Sequence, residues 1–269
     1  MTLYEALLAD YQWHRKSRTQ KHRLYPARFE VPNHKVPWST DFTDYLPLAY
    51  NAPGVLDPNT PWADPQAIKD VKHPFISFMG EVQFNSEGLP LNPLGRTGIC
   101  GRGVLGKWGA NFAADAIITT VNPTNELLLL AISRKDTGEY AFPGGMVDPG
   151  EDALFTRNRE LAEELSMSET ALAHPLYEST VSQGYVDDPR NTDNAWLETT
   201  AIHTHLAFDV AQKMVLKAGD DAADFAWVKV SEESVRNLYA SHGLTLLNAL
   251  RQLENSRPGS ISEIIDAFQ

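Results

Sequence analysis

Three glutamates stand close together after a glycine-rich turn. Glu160, Glu163 and Glu164 are spaced i, i+3 and i+4, which places their carboxylates on one side of a helix. Like charges at this spacing repel one another by roughly a few tenths of a kcal/mol per pair. A divalent cation would reverse that repulsion, because Mg²⁺ prefers carboxylate oxygens, water and substrate phosphate as ligands. Taken alone, consecutive glutamates are more simply interpreted as a solvated helix face, and a divalent-cation site is the alternative.

The segment that must position these glutamates runs from Phe142 to Leu165. It reads FPGGMVDPGEDALFTRNRELAEEL, a turn with two prolines and three glycines followed by a helical pattern. On a helical wheel Leu154, Leu161 and Leu165 form one stripe, separate from the glutamates. We expect this stripe to face the core.

The glutamate helix lies within a βα pattern that starts near residue 113. Strands are predicted at DAIITTV, ELLLLAISR and EYAF before the helix, and at LYESTVSQGYV, AWLETTAIHTHLAF and FAWVKV after it. A helical segment from about Ser231 to Leu253 follows. Residues 24 to 95 are instead rich in Pro, Asn, Asp and Trp. We therefore predict a loop-rich N-terminal cap domain, 1–112, which contributes to the substrate cleft, and a second domain, 113–269.

Composition and charge limit the possible classes of protein. The 269 residues are 42% hydrophobic and 22% charged, which is typical of a folded globular chain. A formal charge of −12 argues against non-specific binding to nucleic acid or anionic membranes. No apolar run approaches the roughly 18 to 20 residues of a membrane helix, and no signal peptide is evident. A single cysteine, Cys100, fits a reducing compartment. We expect an intracellular, cytoplasmic location, and a mitochondrial one is also compatible.

Three other patterns could carry chemistry. GRGVLGKW, from Gly101 to Trp108, matches part of a phosphate-binding loop, but Trp108 stands where that loop needs Ser or Thr. Its glycines favour a tight connection instead. His203 and His205 share one face of a predicted strand, where a polar sheet face is a simpler interpretation than a metal site. The basic run HRKSRTQKHR, residues 14–23, is interpreted as a solvated face or linker.

The spacing around the glutamates resembles the signature of the Nudix hydrolases, Gly-x5-Glu-x7-Arg-Glu-apolar-x-Glu-Glu-x-Gly-apolar. The matching positions are Gly145, Glu151, Arg159, Glu160, Leu161, Glu163 and Glu164. The chain departs from the signature at Ser166, where the family has glycine. This change affects the turn after the helix but no metal ligand.

The resemblance implies an α/β fold, the Nudix α/β/α sandwich with a mixed sheet, preceded by a smaller loop-rich α+β domain. It implies that Mg²⁺ or Mn²⁺ binds to Gly145, through its carbonyl, and to Glu160, Glu163 and Glu164. Arg159 is expected to pair with Glu151 and hold the turn and the helix together. Together with the three glutamates, these two residues form the catalytic set.

Longer strings, including GYVDDPRNTDNAW and LYASH, resemble one group of this family. The group comprises the ADP-ribose pyrophosphatases of animal mitochondria and the C-terminal domain of ADP-ribose-gated melastatin-type TRP channels. The likeness covers most of residues 26–250. It implies ligand contacts from Asp188, Arg190, Tyr239, Ser241 and His242. The candidates to stack on adenine are Tyr140, Phe142 and Trp196.

The resemblance implies metal-dependent hydrolysis of ADP-ribose to AMP and ribose 5-phosphate. Glu164 is the first candidate for the general base, with Asp187 or Asp188 as alternatives. The competing hypothesis is an ADP-ribose sensor within a larger channel polypeptide, with slow or no turnover. The intact glutamate set and the intact PGGMVDPGE favour turnover. ADP-ribose is thus the expected partner, and neither nucleic acid nor membrane insertion is expected.

Overall fold

The computed structural model describes residues 1–165, 172, 174–214 and 222–266. The chain forms two compact units. Unit 1 comprises Met1–Leu8, Ala113–Gln183 and Thr199–Gln269, and unit 2 comprises Ala9–Phe112 and Gly184–Glu198. The chain crosses from one unit to the other between residues 112 and 113, the boundary that the sequence predicts, and also near residues 8, 183 and 198.

The elements alternate as the sequence pattern indicates. The helices are α1 (Leu3–Gln12), α2 (Arg15–Thr19), α3 (Pro53–Leu56), α4 (Ala153–Leu165), α5 (Phe208–Ala211), α6 (Glu232–Arg236), α7 (His242–Ser256) and α8 (Ser262–Asp266). The strands are β1 (Leu48–Asn51), β2 (Gln83–Phe84), β3 (Pro90–Leu91), β4 (Ile99–Gly103), β5 (Gly109–Val121), β6 (Leu127–Arg134), β7 (Tyr140–Ala141), β8 (Gly144–Met146), β9 (Tyr177–Tyr185), β10 (Ala195–Leu206) and β11 (Ala222–Lys229). Within the described ranges, no helix has the length and apolar character needed to cross a membrane.

The main sheet has the strand order β11-β6-β5-β10-β9, with β7 paired to β6 and β8 paired to β5. β6 is antiparallel to both β5 and β11. β5 and β10 instead advance in the same direction. The amide of Gly109 donates to the Asn194 carbonyl, and further along both strands the Thr120 hydroxyl donates to the Leu206 carbonyl. The sheet is therefore mixed, as predicted.

Helices cover both faces of the sheet in unit 1. In β10, Ala201 packs in the main core cluster with the buried leucines of α7. Thr204 points the other way, and its hydroxyl lies 3.3 Å from the Arg157 guanidinium of α4. Because side chains alternate along a strand, odd and even positions lie on opposite faces. This places α4 and α7 in the two outer layers of the predicted α/β/α sandwich.

The buried face of α4 differs in part from the predicted stripe. Leu161 is buried, whereas Leu154 is 47% exposed, and the side chain of Leu165 lies outside the described residues. The prediction for Leu154 is wrong because this residue lies in the first turn and borders an open depression beside β9. Arg157 is buried instead, and it pairs with Glu178 of β9 at 2.8 Å.

The helical segment predicted from Ser231 to Leu253 is interrupted between α6 and α7. Ala240 adopts a left-handed conformation with φ 47°. The preceding amide, that of Tyr239, donates to the Tyr140 carbonyl of β7 at 2.8 Å. Tyr239 therefore contacts the strand from the break rather than from a helix. Local periodicity could not reveal this break, because a tertiary hydrogen bond defines it.

Unit 2 has short strands and few helices, as its composition predicts. The glycines around β4 make a tight connection, and Gly95, Gly98, Gly101, Gly103 and Gly109 have positive φ. At Gly98, a Cβ would also collide with the Phe29 carbonyl. Only glycine combines this conformation with such a close backbone approach.

The two histidines of β10 are buried, and both contact the polar side chain of Thr119 in the neighbouring strand β5. The Thr119 hydroxyl lies 2.7 Å from Nε2 of His203 and 2.8 Å from Nδ1 of His205. Burial lowers the pKa of His203 to about 3 and that of His205 to about 4. Both rings are therefore neutral near pH 7. Among the described residues, no third His, Cys, Asp or Glu side chain completes a metal site with this pair of histidines.

This buried pair predicts acid sensitivity of the fold. The folded-state pKa values lie below the ordinary value of 6.5, so the unfolded chain binds more protons as the pH falls below 6.5. The free energy of unfolding should then decrease by up to about 1.4 kcal/mol per pH unit for each histidine. Urea unfolding at pH 7.5, 6.5 and 5.5 measures this slope.

His205→Gln should reduce the slope, while His34→Gln, at an exposed position, should leave it unchanged. An identical pH slope in the wild type and His205→Gln would contradict the prediction.

Candidate active site

The turn before α4 brings a glycine against a carboxylate. Gly145 lies in β8, opposite Ala114 of β5. The Glu160 carboxylate occupies the space in which a Cβ of residue 145 would lie. Any larger residue here would have to displace the Glu160 carboxylate. The backbone of Gly145 therefore lies directly against the Glu160 carboxylate.

A single guanidinium connects the acidic residues of this region. Arg159 binds Glu151 with two hydrogen bonds, Nε to Oε1 at 2.9 Å and Nη2 to Oε2 at 3.0 Å. Its Nη1 donates to Glu160 at 2.8 Å and to Glu163 at 3.3 Å. Nη2 also donates to the Met146 carbonyl at 3.1 Å. The predicted pair with Glu151 is thus present within a larger network.

The residues of this network have pKa values shifted in different directions. Hydrogen bonds from Arg159 lower the pKa of Glu151 to about 2, and the same contacts raise the pKa of the Arg159 guanidinium. Burial raises the pKa of Glu160, although Arg159 acts in the opposite direction. Glu151 and Arg159 therefore remain a charged pair at neutral pH. Glu163 is 61% exposed, and the side chain of Glu164 lies outside the described residues.

A second cluster in unit 1 surrounds His242 at the start of α7. Its ring stacks on Phe142 with 4.3 Å between centroids and 4° between planes. The Phe142 amide donates to Nδ1 of His242 at 3.0 Å, so Nδ1 is the acceptor and a neutral ring carries its proton on Nε2. The Tyr239 ring packs edge-on against His242, and the Arg134 guanidinium lies 4.0 Å from the Tyr239 centroid. Ser241 lies between Tyr239 and His242 in the sequence, directly before α7. Its carbonyl accepts a hydrogen bond from the Thr245 hydroxyl.

In unit 2 the predicted ligand-binding residues form a pair. Asp188 is 1% exposed, and its Oδ1 accepts from the backbone amide and Nε of Arg190 at 2.7 and 2.9 Å. Its Oδ2 accepts from Nη2 at 2.8 Å. The Arg190 side chain is 27% exposed. Asp188 therefore orients a partly accessible guanidinium.

The neighbouring aspartate is enclosed. Asp187 accepts from the amide and hydroxyl of Ser17 and from the amide of Lys16, and burial raises its pKa to about 6. The carboxylate oxygens of Asp187 and Asp188 already accept hydrogen bonds from protein groups. This geometry disfavours either residue as a general base. Glu164 remains the predicted base.

Two of the three aromatic candidates for adenine stacking lie in the interior. Trp196 is 1% exposed in the core of unit 2, and its Nε1 donates to Glu198 at 2.7 Å. Phe142 is 2% exposed, and His242 covers one face of its ring. Neither ring is available as a platform. Tyr140 is 40% exposed.

The basic run is solvated only in part, because Arg15, Lys21 and Arg23 are exposed while two other residues of the run are buried. His14 and Ser17 are completely buried within unit 2. His14 has φ 33°, and its Nδ1 lies 3.0 Å from the Tyr185 hydroxyl. Ser17 bonds to the loop that contains Asp187. The sequence signal for this contact is that uncharged residues such as Ser17 interrupt the charges.

Two family models match this chain. The family model described as "NUDIX domain" matches residues 111–247. A second one, "NUDT9-like, N-terminal domain", matches residues 31–109. The chain belongs to the NUDIX family.

Its relatives in this family include proteins named as a pyrophosphatase, as a hydrolase and as a cation channel. A rat (Rattus norvegicus) protein named "ADP-ribose pyrophosphatase, mitochondrial" is 41% identical over 85% of this chain and 75% of its own length. The "Putative nudix hydrolase 6" of Caenorhabditis elegans is 40% identical over 80% of this chain and 87% of its own. A Nematostella vectensis protein, "Transient receptor potential cation channel subfamily M member-like 2", is 38% identical over 80% of this chain but only 16% of its own.

The contact between Gly145 and Glu160 gives a test of this site. In Gly145→Ala, the added methyl group must displace the Glu160 carboxylate, and crowding of this kind costs about 1–3 kcal/mol of stability. Urea unfolding measures the loss. Gly54→Ala, with open space around the new Cβ, should show no loss.

If crowding against the carboxylate is the cause, Gly145→Ala should cost less in a Glu160→Ala background. Equal costs in the two backgrounds would show that the steric explanation is wrong.

Proposed function

We propose that this chain hydrolyses ADP-ribose to AMP and ribose 5-phosphate in a reaction that depends on a divalent metal. The observation that carries the proposal is the acidic network on α4 and the turn before it, in which Arg159 joins Glu151, Glu160 and Glu163 beside Gly145. The substrate is inferred from the likeness to a protein named ADP-ribose pyrophosphatase, which extends over most of this chain.

The residues of the network fit a magnesium or manganese ion. They supply carboxylate and carbonyl oxygens, the ligand types that these ions prefer, and the bare backbone at Gly145 leaves room for the Glu160 carboxylate. We assign the metal to Gly145, Glu160, Glu163 and Glu164. When bound, the ion would offset the negative charge on phosphate oxygens and make a bound water more acidic.

The protein groups contribute orientation and charge. Arg159 holds the turn to the helix through Glu151 and Met146, so the metal-binding residues keep one arrangement. Arg190 is suited to a phosphate group, because its planar guanidinium is already oriented by Asp188. His242 carries a proton on Nε2, which can donate to a hydroxyl or phosphate oxygen of the substrate. We assign Tyr239 and Ser241 to the same ligand-binding set.

The alternative function is ADP-ribose sensing within a cation channel. The observation in its favour is the likeness to channel proteins, of which this chain matches only a small part. The intact glutamates and the intact turn before them favour hydrolysis. We propose an intracellular location, cytoplasmic or mitochondrial for a free-standing enzyme and on the cytosolic side of a membrane for a channel domain.

Release of AMP from ADP-ribose in magnesium buffer tests the proposal. Replacement of the metal-binding carboxylates in Glu163→Gln/Glu164→Gln should reduce turnover at least about 100-fold, because it removes both metal ligands and the candidate base. Removal of magnesium with a chelator should have a similar effect. Glu233→Gln, an exposed substitution on α6, provides the matched control and should retain full activity.

Calorimetric titration with ADP-ribose separates the two functions. Tight binding of ADP-ribose to the wild type without AMP release would contradict the hydrolase assignment and favour a sensor. Hydrolysis of NADH or a dinucleoside polyphosphate in preference to ADP-ribose would show that the substrate is wrong.

A further inference from the structure

The loop at residues 187–191, which contains Arg190, is held by residues 16–28, a segment far from it in the sequence. The Tyr25 hydroxyl donates to the Arg190 carbonyl at 2.6 Å. Nη2 of Arg28 donates to the carbonyls of Pro189 and Asn191 at 2.6 and 3.0 Å. Three consecutive carbonyls, those of residues 189–191, thus accept hydrogen bonds from one short segment of unit 2.

The same segment also contacts the start of the loop. The Ser17 hydroxyl lies 2.6 Å from Oδ1 of Asp187 and 3.0 Å from the Asp188 carbonyl. The amides of Lys16 and Ser17 donate to the two oxygens of Asp187 at 2.9 and 2.7 Å. The side-chain amide of Asn191 donates to the Ser17 hydroxyl at 3.2 Å. Ser17 therefore connects both ends of the loop.

Tyr25 is held in place by burial and by hydrogen bonds. It is 4% exposed, and its hydroxyl accepts from the Val104 amide at 2.9 Å while donating to Arg190. Gly103 lies where any Cβ would collide with that hydroxyl. Burial raises the pKa of Tyr25, so the phenol keeps its proton at neutral pH. The donor to the Arg190 carbonyl is therefore always present.

These contacts determine where the guanidinium points. The pair between Asp188 and Arg190 joins residues two apart, so it fixes the side chain relative to the loop but not the loop itself. The backbone of the loop is fixed by Ser17, Tyr25 and Arg28. Both family models begin beyond this segment, at residues 31 and 111.

We propose that Ser17, Tyr25 and Arg28 are positioning residues that set the orientation of Arg190 toward a phosphate of the substrate. The inference rests on the proposed function, because it takes Arg190 to bind ADP-ribose. The three residues act through the loop backbone and have no role in the chemical step. Substrate affinity is therefore the quantity that they control.

Tyr25→Phe tests the proposal by removing only the hydroxyl. We expect KM for ADP-ribose to increase about five- to tenfold with kcat within about twofold, because a lost positioning contact weakens binding. Tyr50→Phe is the matched control, since the Tyr50 ring packs 5.3 Å from that of Tyr25. It should retain the wild-type KM. Ser17→Ala gives a second variant at the other contact with the loop, with the same expected direction.

A double-mutant cycle distinguishes positioning from general structural support. In an Arg190→Ala background, Tyr25→Phe should change KM, or the calorimetric Kd, by less than about twofold, because the group that it positions is gone. The same fold-change with and without Arg190 would overturn the proposal.

Amide hydrogen exchange gives a readout that does not need substrate. The amides of Arg190 and Asn191 should exchange faster in Tyr25→Phe than in the wild type or Tyr50→Phe. Unchanged exchange in both Tyr25→Phe and Ser17→Ala would overturn the inference even if ADP-ribose is hydrolysed. Faster exchange in a chain that neither binds nor hydrolyses ADP-ribose would support control of the loop while the proposed function fails.

Discussion

The contact between the Arg159 guanidinium and several carboxylates is the interaction on which the candidate site depends. Glu160 and Glu163 on α4 and Glu151 in the turn before it would repel one another if no cation lay among them. Arg159 reaches all three and also binds the Met146 carbonyl in the preceding turn. One cation thus offsets the repulsion and connects turn to helix. This arrangement explains how glutamates can be concentrated in this region of a chain that already has a net charge of −12.

Buried polar contacts have a similar organising role elsewhere in the molecule. Arg157 is enclosed between α4 and the sheet, where Glu178 neutralises its charge. In unit 2, Asp187 accepts three hydrogen bonds from Lys16 and Ser17, and these donors compensate part of the cost of burying its charge. In each case a charged group requires a particular partner, so the backbone near the site has little freedom to rearrange.

Predictions from the sequence succeeded where periodicity reflects burial and failed where a distant contact decides. The strands and α4 follow from alternating and helical patterns, and the mixed sheet matches the expected fold. The break before α7 was missed, because it depends on the hydrogen bond from Tyr239 to Tyr140 and on the left-handed Ala240. The charge of residues 14–23 predicts a solvated face or linker, but His14 and Ser17 within this run are buried.

The sequence by itself determined the chemical type of the site, because the spacing of Glu151, Arg159 and the following glutamates is a property of one turn and one helix. The family followed from the same residues. Only the tertiary structure decided how far Arg159 reaches, which aromatic rings remain accessible, and what holds Arg190. These features join residues such as Tyr25 and Arg190, which are 165 positions apart. Contacts over that separation arise when the chain packs, and no local pattern of residues encodes them.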